Sequence, residues 1–203
     1  MEAGRYRTIV ADPPWDHSDG TGWHPGTRDH RLTDAQRARA PEPKATHLPY
    51  GVMSLEHICD LPVTDWAERD AHLYLWTTNR YLREAYYVAE AWGFTPTKPL
   101  VWCKEPMGFM GRPFTSSVEF ILFCRRGVLR HSSDAGRQWW VWKRGEHSAK
   151  PDAFLDIVEQ VSPGPYLEMF SRRARMGWST WGNEALEGVT ETVRTEQVAE
   201  SAA

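Results

Sequence analysis

Two adjacent prolines, Pro13 and Pro14, cut off an apolar run at Ala11, and this constrains the fold more than any other feature of the chain. Thr8-Ile9-Val10-Ala11 reads as a buried strand. Neither proline can donate to a ladder and each fixes φ, so the strand stops and a stiff turn follows. Asp12 and Trp15 flank the pair. A carboxylate and an indole are thus held on a rigid corner at the carboxyl end of a strand, where open α/β sheets bind ligands. An acceptor carboxylate, carbonyls of residues that lack an N–H, and a flat aromatic ring together suit a planar, amino-substituted base.

Downstream, strand and helix patterns alternate. Ser54 reads as the N-cap of a short helix reaching about Cys59, and Thr64 to Asp70 as a further helical turn. His72 to Thr77 reads as a strand. Asn79 is expected to cap a helix with Leu82, Ala85, Tyr86 and Ala89 on one face, ended by Gly93. Thr97 to Trp102 reads as a strand whose Pro99 belongs at a sheet edge or bulge. Lys104 to Thr115 is read as a loop carrying Met107, Phe109, Met110 and Phe114, either a docked cap or a partner surface. Ser117 to Cys124 is a strand interrupted only by Glu119, which needs a donor if buried. Residues 127–146 read as irregular despite Trp139, Trp140 and Trp142. Pro151 is expected at the first position of a helix with Phe154, Val158 and Val161 as its buried stripe, stopped by Ser162-Pro163-Gly164-Pro165. Tyr166 to Phe170 is the last clear strand, and Gly177 to Asn183 a Trp/Gly-rich turn.

This pattern predicts an α/β fold, a mostly parallel sheet flanked by helices, in one domain over residues 1–183. Residues 16–49 are polar and rich in Gly and Pro, and directly after the corner they are expected to form a mobile lid, with a helical turn from Thr33 to Arg39. Residues 184–203 are polar and acidic without aromatics and are expected to fray.

Composition excludes several classes. The 203 residues suit a single core. Cys59, Cys103 and Cys124 have no CxxC spacing and are odd in number, against a disulfide framework. Eight His lie outside any HExxH or Cys/His cluster, so no metal is expected. Without a leader-like segment or a long apolar run, a soluble, cytoplasmic protein with no membrane contact is expected. A net charge of −3 is not that of a strongly basic nucleic-acid binder. Local cation clusters remain as candidate phosphate contacts: Arg37 and Arg39 with Lys44, Arg125-Arg126, Lys143-Arg144, and Arg172-Arg173 with Arg175. So weak a global field implies weak or partner-assisted binding to a polymer. Eleven Trp exceed what a core of this size needs and suit a site that stacks on something flat.

The chain resembles the MT-A70 family of adenine N6-methyltransferases, in its short bacterial or phage form. The resemblance is carried in order by Ala11-Asp12-Pro13-Pro14-Trp15, Leu75-Trp76-Thr77-Thr78-Asn79, Ala91-Trp92-Gly93-Phe94, Val118-Glu119-Phe120, His147 to Pro151, Val161-Ser162-Pro163-Gly164, Leu167-Glu168-Met169-Phe170 and Gly182-Asn183. It implies a Rossmann-like methyltransferase fold with permuted motif order, the catalytic turn early and the S-adenosyl-L-methionine elements late. It implies catalytic roles for Asp12, Pro13, Pro14 and Trp15: Asp12 and the Pro13 carbonyl hold the N6 amine, and Trp15 stacks on the ring. It implies cofactor contacts from Asp12, Lys150, Glu168, Phe170, Arg172 and Asn183. The implied substrate is adenine in nucleic acid, DNA before RNA, with RNA or a small adenine compound as the alternative. A homodimer or a paralogous partner subunit is the implied assembly, and a non-catalytic scaffold the reading of another class. Larger members carry an acidic adenosine-contacting segment before the corner, so here that pocket needs completion from elsewhere. Ser171-Arg172-Arg173 departs from the family pattern and leaves Arg173 unassigned.

Overall fold

The computed structural model describes residues 4–15, 52–106, 114, 117–145, 149–171 and 174–182. The lid expected at 16–49, the tail from 184, and Arg172, Arg173 and Asn183 lie outside the described residues.

The described chain forms β1 (Tyr6–Ala11), α1 (Leu55–Cys59), α2 (Val63–Trp66), β2 (Ala67–Thr77), a 3-10 turn (Asn79–Tyr81), α3 (Leu82–Ala91), β3 (Thr95–Glu105), β4 (Val118–Arg126), β5 (Trp139–Lys143), α4 (Asp152–Val161), β6 (Tyr166–Met169) and β7 (Trp178–Trp181). The strands make one seven-stranded sheet ordered β5-β3-β4-β2-β1-β6-β7. β1 pairs in parallel with β2 and β6, β6 with β7, and β3 with β5. β4 runs antiparallel to β2 and to β3, so it alone is reversed and every other strand points the same way. This is the expected α/β sheet, mostly parallel. Its consequence for function is geometric: the carboxyl ends of β1, β2, β3, β5 and β6, and the start of β4, line one edge.

Each face of the sheet buries its own core. On one face α3 packs through Ala85, Val88 and Ala89 against Ile9, Ala11, Leu73, Leu75 and Leu122. On the other α4 packs through Phe154, Leu155 and Val158 against Val10, Tyr74, Trp76 and Ile121. The strict alternation of Ile9, Val10 and Ala11 between the two cores is the period of a strand buried on both sides. A polar clasp ties α4 to β2. His72, Tyr74 and Ser162 are all buried. Ser162 Oγ lies 2.7 Å from His72 Nδ1 and 2.8 Å from the Tyr74 hydroxyl, and His72 Nε2 lies 3.2 Å from the Leu129 carbonyl. Burial holds His72 at a pKa of about 4, so its ring is neutral and Nε2–H donates to Leu129 while Nδ1 accepts from Ser162.

Several local expectations are corrected. Only the start of Thr64–Asp70 is helical, because from Ala67 the chain pairs with β1 and joins β2. Asn79 does not cap α3; it sits in the preceding 3-10 turn and Tyr81 occupies the cap position. Tyr86 lies on the exposed side of α3. β3 runs on through Lys104 and Glu105, which had read as loop. Residues 127–146 contain β5, and the Trp/Gly-rich turn contains β7. Both are short strands at the two ends of the sheet that exist through pairing with one neighbour, β3 for β5 and β6 for β7, which no local pattern announces. Pro151 caps α4 instead of opening it, and Val161 is only half-buried. Other expectations hold: Ser54 caps α1 through a bond from the His57 N–H, and Gly93 ends α3 at φ 78°. Pro99 lies where β3 has no partner on its outer side, since β5 pairs only from Val101.

Candidate active site

The proline corner folds back on itself. The Pro13 carbonyl accepts from the Trp15 N–H at 2.8 Å and the Pro14 carbonyl from the Met53 N–H at 3.1 Å. Each keeps a second lone pair. Trp15 does not present the open stacking face expected of it. Its ring is 5% exposed, stacks on Tyr81 at 5.3 Å, and donates through Nε1 to the Trp76 carbonyl at 3.1 Å. It is a peg in the α3-side core that fixes the corner's pose.

Asp12 points to the other face. Lys150, just before α4, reaches its Oδ2 at 2.6 Å. The same Lys150 ammonium lies 3.5 Å from Glu119 Oε2 and 5.3 Å over the Trp76 ring. Glu119 in turn is bonded to Lys104. Two carboxylates and two ammonium groups from β1, β4, β3 and the α4 approach form one balanced, half-buried row. Glu119 had two open readings, surface position or site residue, and it joins the site. Lys104 was missed. Its only sequence cue is a cation near the end of an apolar run, a weak signal because lysines mostly face solvent.

Beside the row is a cleft between the ends of β1 and β6. Val10, Trp76, Phe154 and Leu155 wall it, and Asp12, Lys150, Glu168 and Phe170 line it. Val10 and Glu168 are register partners on adjacent parallel strands, so both face the cleft. Ser171 Oγ–H donates to Glu168 Oε2 at 2.8 Å and holds that carboxylate at the rim. Phe170 takes φ 62°, a left-handed conformation that is costly for a bulky residue. The strain is held from behind. The Phe170 N–H donates to the Trp181 carbonyl at 2.5 Å, and Gly182 lies so close that a Cβ there would come 2.9 Å from the Phe170 Cα.

The structure therefore brings Asp12, Lys150, Glu168 and Phe170 to one cleft, while Pro13 and Pro14 follow Asp12 in the chain and are not among its lining residues. The described residues hold no His/Cys/Asp/Glu group arranged for a metal ion and no helix long and apolar enough to cross a membrane.

A family model described as MT-A70 matches residues 6–184. The chain is similar to the Type II methyltransferase M.MunI of Mycoplasma sp, 29% identical over 184 residues that cover 89% of this chain and 78% of that protein. It is similar to a probable N(6)-adenosine-methyltransferase MT-A70-like of Oryza sativa subsp. japonica, 27% identical over 92% of this chain and 24% of that one. It is similar to the Homo sapiens N(6)-adenosine-methyltransferase catalytic subunit METTL3, 23% identical over 92% of this chain and 29% of that one. The family match runs from the first residue of β1 to beyond the last of β7 and takes in the corner, the charged row and the cleft. On these grounds the chain belongs to the MT-A70 family.

Proposed function

We propose that this chain is an adenine N6-methyltransferase acting on nucleic acid, with DNA favoured over RNA and S-adenosyl-L-methionine as the methyl donor. One observation carries the reading: Asp12 of the corner and Lys150 of the cleft touch at 2.6 Å, so a base held at one and a donor held at the other lie within direct transfer distance. The match to a type II methyltransferase over 78% of its length supports DNA. The name of the human relative, a catalytic subunit, supports a paralogous partner or second copy in the working enzyme.

The cleft's chemistry fits the donor. Lys150 offers a cation for a carboxylate, Glu168 an acceptor for hydroxyls or an ammonium group, and Val10, Phe154 and Leu155 an apolar wall. Arg172 and Asn183 are carried from the family and complete the proposed set. When bound, S-adenosyl-L-methionine supplies an electrophilic methyl group. The chain's own residues position the amine. The N6 lone pair of adenine is conjugated into its ring and is a poor nucleophile. Asp12 accepts one N–H and the spare lone pair of the Pro13 carbonyl the other, which fixes N6 and shifts density onto it. The surplus proton leaves N6 after methylation, so Asp12 accepts a hydrogen bond and need not act as a strong base. Trp76 walls the cleft and the charged row lies beside it, and orientation and electrostatics do most of the work. In a duplex the target base must first leave the stack. The intact corner speaks against a non-catalytic scaffold.

The test is transfer of labelled methyl groups to single- and double-stranded DNA and RNA, followed by nucleoside digestion. The expected product is N6-methyladenine, most abundant from DNA. Asp12→Ala is expected to abolish transfer while cofactor affinity stays within tenfold, about 1.4 kcal/mol. A protein that neither binds the cofactor by calorimetry nor labels any substrate would overturn the proposal.

A further inference from the structure

The clustered cations that lie within the described residues differ in their partners. Arg125 donates to the Leu129 carbonyl and Arg126 to the Thr64 carbonyl, so both are structural. Arg175 is bound by Asp156 and Glu159. Lys143 and Arg144 are exposed, and among the described residues neither enters an ion pair. Lys143 ends β5, the outermost strand among the described residues, and Arg144 follows it. Between Asp134 and Glu146 the chain carries Arg137, Lys143, Arg144 and three tryptophans, and the nearest carboxylate across the ladder is that of Glu105, register partner of Lys143, in a protein of net charge −3. Trp139 is 53% exposed, and Trp140 and Trp142, half-buried, lie with ring planes 3° apart.

This strand is connected to the reaction site. It runs parallel to β3 with Trp142 in register with Lys104, which binds Glu119, which meets Lys150 and so Asp12. Its cationic end therefore lies on the same sheet edge as the corner. From β1 to β5 there are four strand steps, β1-β2-β4-β3-β5, or about 19 Å at about 4.8 Å each. That equals about six nucleotides of rise at about 3.4 Å per nucleotide.

We infer that β5 and the adjoining Arg144 bind the polynucleotide strand flanking the target adenine, Trp139 giving a base a stacking face and Lys143 and Arg144 meeting phosphates. This rests on the function proposed above and adds where the polymer lies. Aromatic rings interleaved with cations on an exposed strand are how sequence-tolerant single-strand binding is built. The chief competitor for a strand that is outermost among the described residues is a second copy of the same strand. Two copies of β5 related by a two-fold axis pair antiparallel, which sets Arg137 of one against Lys143 and Arg144 of the other. Like charges across a ladder repel, so charge favours the polyanion.

The test compares the parent protein with Trp139→Ala and with Trp139→Ala/Lys143→Gln/Arg144→Gln. Two DNA single strands are used, a 20-mer and a 5-mer, each with one central adenine; the 5-mer's two nucleotides on either side reach only about 7 Å, short of β5. The triple variant is expected to bind the 20-mer at least tenfold more weakly at low salt. Its slope of log affinity on log salt should fall by about 1.4, two phosphates at about 0.7 each. Trp139→Ala alone should weaken binding and leave that slope unchanged. Methylation of the 5-mer and calorimetric binding of S-adenosyl-L-methionine should match the parent in both. Unchanged 20-mer affinity, or equal losses on both strands, would overturn the inference. So would a parent dimer, seen by sedimentation, that the triple variant splits without losing the 20-mer. A parent that holds the 20-mer through these residues yet methylates nothing would instead sink the enzyme reading alone.

Discussion

Asp12 and Trp15 stand three positions apart in the chain, yet they face opposite cores. The proline pair turns Asp12 towards Lys150 and drives Trp15 down beside Tyr81. Burying an indole whose N–H meets a backbone carbonyl makes it part of the fold, whatever else it does. Trp15→Ala is therefore expected to cost about 3–5 kcal/mol of stability, by the usual penalty for emptying a large buried aromatic site. Urea unfolding followed by circular dichroism checks this. A variant as stable as the parent would return Trp15 to the role of a surface stacking ring. Asp12 was legible from sequence because tandem prolines after an apolar run leave the backbone few options. The burial of Trp15 was not, since which face a side chain joins past a turn depends on what lies beside it.

At the scale of elements, two joints hold the cleft. One is the contact between β6 and the turn after β7. Gly182 is at φ 146° with its Cα against the Phe170 backbone. Gly182→Ala is expected to destabilise the protein by about 1–3 kcal/mol, since it combines a strained φ with a backbone clash. It should also weaken cofactor binding, because Phe170 lines the cleft; parallel melting and calorimetry would show whether both move. The other joint is the clasp of His72, Tyr74 and Ser162. Its histidine titrates near 4 when folded against about 6.5 when unfolded, because burial disfavours the imidazolium. Between those values the unfolded chain binds the extra proton, so stability is full above about pH 6.5 and falls as pH drops towards 4. The loss amounts to about 3 kcal/mol at its limit. His72→Gln should flatten that part of the stability-pH curve, and equal acid sensitivity in the two proteins would refute the assignment. The helix and the strand that form this clasp were each readable from their patterns. The clasp was not, because residues 72 and 162 meet only through the packing of α4 on β2.

For the molecule as a whole, the sheet encloses Cys124 between its layers, and burial pushes that thiol up to about 12. Only the thiolate reacts readily, so Cys124 should resist a disulfide reagent at pH 8 until global unfolding, while half-buried Cys59 and Cys103 react earlier. Counting modified thiols against denaturant checks this, and three fast thiols in the native protein would contradict it. The sequence by itself determined most of the longer strands and helices and their order, the proline corner, the family and the presence of Lys150, Glu168 and Phe170 near the end of the chain. These are local signals: period, turn chemistry and short motifs. Only the tertiary structure decided that β4 runs backwards, that β5 and β7 exist, and that Glu119 and Lys104 stand in line with Asp12 and Lys150. The reason is physical. A short edge strand and an ion-pair row are stabilised by partners tens of residues away, and nothing within either segment encodes which partner the folded sheet will set beside it.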